Sequence, residues 1–206
     1  MRNIHTHIVH PLEEEVVSLY ENFPQCLDLS SCSLGLHPWY LEQAERGWEV
    51  LQQYATYSHV MAIGECGLDK VSGTPWERQQ QYFQLQIGLA NRLNKPLIIH
   101  CVKAYAECMA ALQAAKVPVV FHGFNKSIET AQMLLSKGYY LSFGHSLFRE
   151  GYGDILKQVP PERIFLETDD KTDISIEDVY KRAAELLNFP LDALILQLEK
   201  NYQNIL

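Results

Sequence analysis

The sequence predicts a (β/α)8 barrel, distorted and with a shortened first crossover. Three observations carry that expectation. Short apolar, β-branched runs recur eight times along the chain, and from the third onward helical patterns usually separate them. Several runs are almost continuously apolar, as strands buried on both faces should be. Metal-binding side chains fall at the ends of these runs, and a parallel barrel gathers its C-terminal strand ends on one face. That distribution argues against the competing doubly wound open sheet.

The runs place strands near Asn3–His7, Val16–Tyr20, Ser33–His37 and Val60–Glu65, then near Leu97–Cys101, Val117–His122, Tyr139–Phe143 and Ile164–Thr168. Between His7 and Val16 there is no room for a full crossover helix, which is why the first crossover is expected to be short. The clearest helix starts at Thr74-Pro75-Trp76-Glu77, which reads as an N-cap Thr, Pro at the first helical position and a capping-box Glu. Tyr82, Leu85, Leu89 and Leu93 follow at helical spacing, and Asn94 with Pro96 marks the exit. Ser127 is expected to cap a helix through Ala131, Leu134 and Leu135 that ends at Lys137-Gly138. Ser175 with Asp178 marks another start, and Leu191–Tyr202 reads as a terminal helix.

Of the 206 residues, 47% are hydrophobic, enough for one well-packed core. No low-complexity segment, repeat or long linker interrupts them, so one domain over residues 1–206 is expected. No apolar run approaches the roughly 18 residues of a membrane span, and no secretory signal is apparent. Cys26, Cys32, Cys66, Cys101 and Cys108 form an odd set without CxxC spacing, which predicts reduced thiols and a cytoplasmic location. The formal charge of −8 disfavours indiscriminate adhesion to nucleic acid. It leaves room for a phosphate-bearing substrate, because bound cations reverse the local sign.

The polar strand ends carry the chemistry. His5 and His7 stand in "IHTH", Glu65 in "AIGECGLD", His100 in "PLIIHC", His122 in "VVFHGF" and Asp169 in "IFLETDD". Imidazole nitrogen and carboxylate oxygen suit Zn²⁺, Mn²⁺ and related ions. Four histidines and two carboxylates exceed the needs of one tetrahedral ion, and suit two divalent cations about 3.5–4 Å apart. A lone buried histidine is more often a hydrogen-bonded core residue than a ligand; six suitable residues on one rim reverse that weighting. His37, in "GLHPW", divides between a site role and a structural turn. His10, His59 and His145 receive no role.

At these residues the chain resembles the TatD family of metal-dependent hydrolases. The resemblance rests on "HTH", "GLHP", "GECGLD", "PLIIH", "HGF" and "ETD", six fragments in the family's order over nearly the whole chain. It implies a distorted TIM-like barrel and deoxyribonuclease-type phosphodiester hydrolysis. It implies further that His5, His7, Glu65 and Asp169 hold one ion, and Glu65, His100 and His122 the other, with Glu65 as the bridge. Three departures bear on substrate. The segment between "HTH" and "GLHP" is compressed. The fifth-strand histidine is followed by Cys101, Val102 and Lys103 in place of Ser-Arg, which passes phosphate contact to Lys103, a point charge instead of a fork. After "ETD" comes "DKTD", whose Asp170 adds negative charge at the rim.

The expected function is therefore phosphodiester hydrolysis, with DNA the foremost substrate and two divalent cations (Zn, Mn or Mg) as cofactors. Glu65 and Asp169 are the catalytic residues, Asp169 orienting or deprotonating the attacking water. His37 and Lys103 contact the substrate, and Trp39 serves either as a stacking face or as packing. Two alternatives stand beside this reading: an amidohydrolase-like enzyme for amides, lactones or small phosphoesters, and a non-catalytic metal-binding module. Many binuclear amidohydrolases place a carboxylated Lys where this chain has Glu65, which favours the first reading.

Overall fold

The computed structural model describes residues 1–9 and 14–206. Eight strands follow one another: β1 Arg2–Thr6, β2 Glu14–Leu19, β3 Cys32–Leu34, β4 Val60–Asp69, β5 Leu97–Val102, β6 Val119–Phe121, β7 Tyr140–Phe143 and β8 Ile164–Leu166. Their order in the sheet is their order in the chain, as a (β/α)8 fold requires. The helices are α1 Ala44–Tyr54, α2 Trp76–Leu93, α3 Tyr105–Ala111, α4 Ile128–Leu135, α5 Tyr152–Leu156, α6 Ile176–Leu187 and α7 Leu191–Ile205. The separation between Thr6 and Glu14 is too short for a crossover helix, and only a 3-10 turn, Phe23–Asp28, lies between β2 and β3. His10 falls outside the described residues. No described helix is long and apolar enough to cross a membrane, and all five cysteines are free thiols.

Packing divides the chain into two compact units, Val17–Val119 and Met1–Val16 with Val120–Leu206. In the first, β2, β3, β4 and β5 pair in parallel. Helix α2 buries Tyr82, Phe83, Ile87, Leu89 and Ala90, while Leu85 of the expected stripe is 38% exposed. Two glutamines one heptad apart on α2 do what apolar residues cannot. Gln86 accepts the Leu36 N–H at 2.7 Å and donates to the Leu36 carbonyl at 3.1 Å. Gln79 does the same for Asp69, at 2.9 and 3.1 Å. Both side chains are buried, so each amide replaces a backbone partner that the ends of β3 and β4 lack.

The start of α2 differs from expectation. Pro75, not Thr74, is the cap, with extended backbone at ψ 135°, and no side chain caps the first turn. The Thr74 carbonyl is taken by the Gln79 amide at 2.9 Å. The exit is as expected, with Asn94 left-handed at φ 51°.

In the second unit, β6, β7 and β8 pair in parallel. The end of β1 meets the residues after β8: Asp169 N–H donates to the His5 carbonyl at 3.1 Å and His7 N–H to the Asp169 carbonyl at 3.0 Å. The Asn3 side chain grips Thr168 twice, donating to its hydroxyl at 2.8 Å and accepting its N–H at 3.2 Å. Helix α7 is fixed by Asn201, whose amide donates to the Pro161 and Ile164 carbonyls at 2.8 and 2.9 Å. Helix α6 begins with the expected capping box between Ser175 and Asp178. Ser127 caps α4 by position only, its hydroxyl lying 3.4 Å from that of Thr130.

Candidate metal centre

Glu65 does not end its strand as the sequence suggested; β4 continues to Asp69. Two glycines make this possible. Gly64 and Gly67 have φ of 152° and 147°, conformations closed to L side chains, and the pairing with β5 slips between Ile63 and Cys66. A Cβ at Gly64 would lie 2.5 Å from the Ile98 carbonyl oxygen. The slip seats the Glu65 carboxylate, 2% exposed, against two imidazoles. Its Oε1 lies 2.7 Å from His100 Nδ1 and 3.2 Å from His37 Nε2, and those two nitrogens are 3.3 Å apart.

Hydrogen bonds assign the ring nitrogens. His37 Nδ1 accepts the Trp39 N–H at 3.1 Å, which leaves the proton of the neutral ring on Nε2. His37 thus faces the site as a donor. His100 stands between two carboxylates, Nε2 2.9 Å from Asp69 Oδ2 and Nδ1 2.7 Å from Glu65 Oε1; with Nε2–H donating to Asp69, Nδ1 is the atom that would face a cation shared with Glu65. Asp69 is fully buried, and it also accepts the Trp39 indole N–H at 2.5 Å and the Val71 N–H at 2.8 Å. Burial alone would push the Asp69 carboxyl up; the bonds from His100, Trp39 and Val71 outweigh it and hold it at about 2.

In the other unit Asp169, left-handed at φ 57°, turns its carboxylate toward the β1 histidines. Its Oδ1 lies 3.5 Å from His5 Nε2 and 3.6 Å from His7 Nε2. The His122 ring stands 4.2 Å from that of His5, which is fully buried. Behind His122 sits Glu167, 1% exposed, its Oε1 3.5 Å from His122 Nδ1 and accepting the Gly123 N–H at 2.6 Å. Ligand atoms of His5, His122 and Asp169 all lie within 4.8 Å of one another, and so do those of His37, Glu65 and His100. The buried mixture of imidazole and carboxylate fits Zn²⁺ or Mn²⁺ better than Mg²⁺, which prefers oxygen and water.

Lys103 is exposed directly after β5, in left-handed backbone at φ 53°. Asp170 is paired with Lys171 at 2.6 Å, which offsets the charge expected to repel a polyanion. His145, given no role by the sequence, lines a cleft of about 270 Å³ with Arg149, Lys171, Glu167 and Asp169. His59 stacks on Tyr57 with ring centroids 5.6 Å apart. The sequence reading passed over Asp69, although strand alternation puts residues 65, 67 and 69 on one face. It also passed over Glu167, whose partners His122 and the Gly123 N–H lie far away in sequence.

A model of TatD related DNases matches residues 8–206. This chain belongs to that TatD family. Among curated TatD relatives, the "Uncharacterized metal-dependent hydrolase YcfH" of Escherichia coli K12 is 39% identical over 145 residues, which are 66% of this chain and 54% of YcfH. The "3'-5' ssDNA/RNA exonuclease TatD" of Escherichia fergusonii is 30% identical over 166 residues, 76% of this chain and 62% of that protein. The matches thus span between about half and two thirds of these relatives. The crystal structure of YjjV, a TatD homologue from Escherichia coli K12, superposes with a TM-score of 0.85 at 26% identity, covering 97% of this chain and 95% of that one. The TatD fragments in the sequence are the segments that carry both donor clusters.

Proposed function

We propose that this TatD-family chain is a divalent-metal-dependent hydrolase that cleaves phosphodiester bonds of nucleic acid, DNA foremost. One observation carries the reading: in each unit, imidazole and carboxylate atoms from segments far apart in sequence converge within 4.8 Å. His5, His7 and Asp169 would hold one cation, and Glu65 with His100 a second; His122, which the resemblance gives to the second ion, has its ligand atom within 4.8 Å of those of His5 and Asp169. The role of Glu65 as a ligand common to both ions is carried over from the TatD resemblance. Bound cations would supply charge neutralisation at the phosphate and acidify the attacking water.

The chain's own groups do the rest. Asp169 accepts the water's proton or orients it, its backbone tied to β1 and its Oδ1 lying 3.5 and 3.6 Å from His5 and His7. His37, a neutral Nε2–H donor, hydrogen-bonds a non-bridging phosphate oxygen. Arg149 lines the cleft beside Asp169 and draws in the neighbouring phosphate, alongside the phosphate contact expected of Lys103. The printed name of the Escherichia fergusonii relative, an exonuclease for single-stranded DNA and RNA, supports the same class of substrate.

The test is turnover with metal control. Purified chain should cleave DNA when supplied with Mn²⁺ or Zn²⁺, lose activity in EDTA, and lose it in Glu65→Ala. Saturating Mn²⁺ should also raise the melting point, since a ligand at 100 times its Kd contributes about 2.7 kcal/mol. Mn²⁺ binding with turnover of amide or lactone substrates, and none of DNA, would move the chain to the amidohydrolase class.

A further inference from the structure

We propose that Tyr20 and Tyr40 form a seat for one unpaired nucleobase of a single-stranded nucleic acid, next to His37. Tyr20 directly follows β2, and Tyr40 closes the turn after His37, its N–H donating to the His37 carbonyl at 3.0 Å. The two phenol rings stack with centroids 4.7 Å apart and planes 19° from parallel. The Tyr40 ring lies 5.4 Å from the His37 imidazole. Yet Tyr40 is 48% exposed, so the core does not explain an aromatic residue there. Trp39 is equally exposed, but its indole N–H is committed to Asp69.

The pair opens onto a cleft of about 510 Å³, the size class of small-ligand sites. Its polar lining selects the occupant. Glu21 and Glu42 repel a phosphate and accept from exocyclic amines, while Asn22 and Gln43 offer amide donors and acceptors to a base edge. Arg46 is the lone cation there. A neutral, flat, hydrogen-bonding ring therefore fits where a phosphate does not. With the phosphate at His37, a base swung to one side lands on Tyr40, which requires it to be unpaired. The inference rests on the phosphodiesterase reading only for the direction from which the strand arrives.

Binding separates the two. Fluorescence anisotropy would follow a cleavage-resistant phosphorothioate single strand titrated with the Mn²⁺-loaded chain. Tyr40→Ala should weaken binding about ten-fold, or ~1.4 kcal/mol, within the range of one base–aromatic stack. Tyr40→Phe keeps the ring and should bind like the unaltered chain. An abasic strand should bind the unaltered chain and Tyr40→Ala alike. Equal losses on intact and abasic strands, duplex bound as tightly as single strand, or no binding by the unaltered chain would overturn the seat. Cleavage of an ordinary strand is scored separately. Base-dependent binding without cleavage removes the phosphodiesterase reading and keeps the seat; cleavage indifferent to Tyr20→Ala and Tyr40→Ala removes only the seat.

Discussion

Asp69 Oδ2 lies 2.9 Å from His100 Nε2, on the side of the imidazole opposite Glu65. With Nε2–H donated to this buried carboxylate, Nδ1 would be the nitrogen offered to a cation beside Glu65. The same oxygen takes the Trp39 indole proton, so the turn after β3 and the strand β5 are referenced to one atom.

Asp69→Asn tests that control. Asparagine has one acceptor oxygen where Asp69 accepts three N–H groups on two, so an amide N–H must face a donor. Apparent Mn²⁺ or Zn²⁺ affinity should fall about 10–100-fold. The ¹⁵N shifts of His100 should show the proton leaving Nε2. Unchanged shifts together with unchanged affinity would reduce Asp69 to a packing residue.

Gly67→Ala should damage the same site from the backbone. At φ 147° the added Cβ meets the His100 carbonyl oxygen, in a conformation that costs about 1–3 kcal/mol for any other residue. Relief requires β4 to separate from β5, which carries Glu65 away from His100. Chemical denaturation should show a lower midpoint and metal titration a weaker site. Gly73→Ala is the control, since nothing lies within 4 Å of its Cβ position.

What the sequence disclosed follows a physical divide. His5, His100, His122 and Asp169 were legible because each interrupts or closes an apolar run, where a polar residue needs a reason. Asp69 and Glu167 were not, because their partners are a histidine and a backbone N–H that no local pattern brings near. The extension of β4 beyond Glu65 depends on Gly64 and Gly67, a residue type that weakens a strand interior and here permits a bulge. Gln79 and Gln86 look like the wet face of α2 until the open ends of β3 and β4 are seen against them. The Tyr20–Tyr40 stack depends on two loop paths, for which periodicity has no signal.

Gln86→Leu should therefore behave worse than its gain in hydrophobicity suggests. It strips partners from the buried Leu36 N–H and carbonyl, at about 1–3 kcal/mol for each group left unsatisfied. The residue after Leu36 is His37, so the loss should also loosen the imidazole proposed above to contact phosphate. Urea titration should show a clear drop in stability, with KM raised more than kcat is lowered. A variant as stable as the parent would mean that water replaces the amide.

Acid should reach the second unit through Arg2 and Glu199. The guanidinium donates to both carboxylate oxygens, at 2.9 and 3.2 Å, and this holds Glu199 below its ordinary value of 4.5. A carboxyl depressed on folding adds stability that is complete above the unfolded value and disappears as pH falls through the folded one. With both side chains about a third exposed, a contribution of about 0.5–1 kcal/mol is reasonable, or roughly 1–4 °C in a chain of this size. At neutral pH Glu199→Gln should melt lower than the parent by that margin. The gap should close as pH falls from the ordinary value of 4.5 through the lower folded one and the parent's carboxylate takes up its proton. A gap that persists unchanged through that range would assign the effect to packing of Arg2 on the Tyr202 ring, 4.5 Å away, in place of charge.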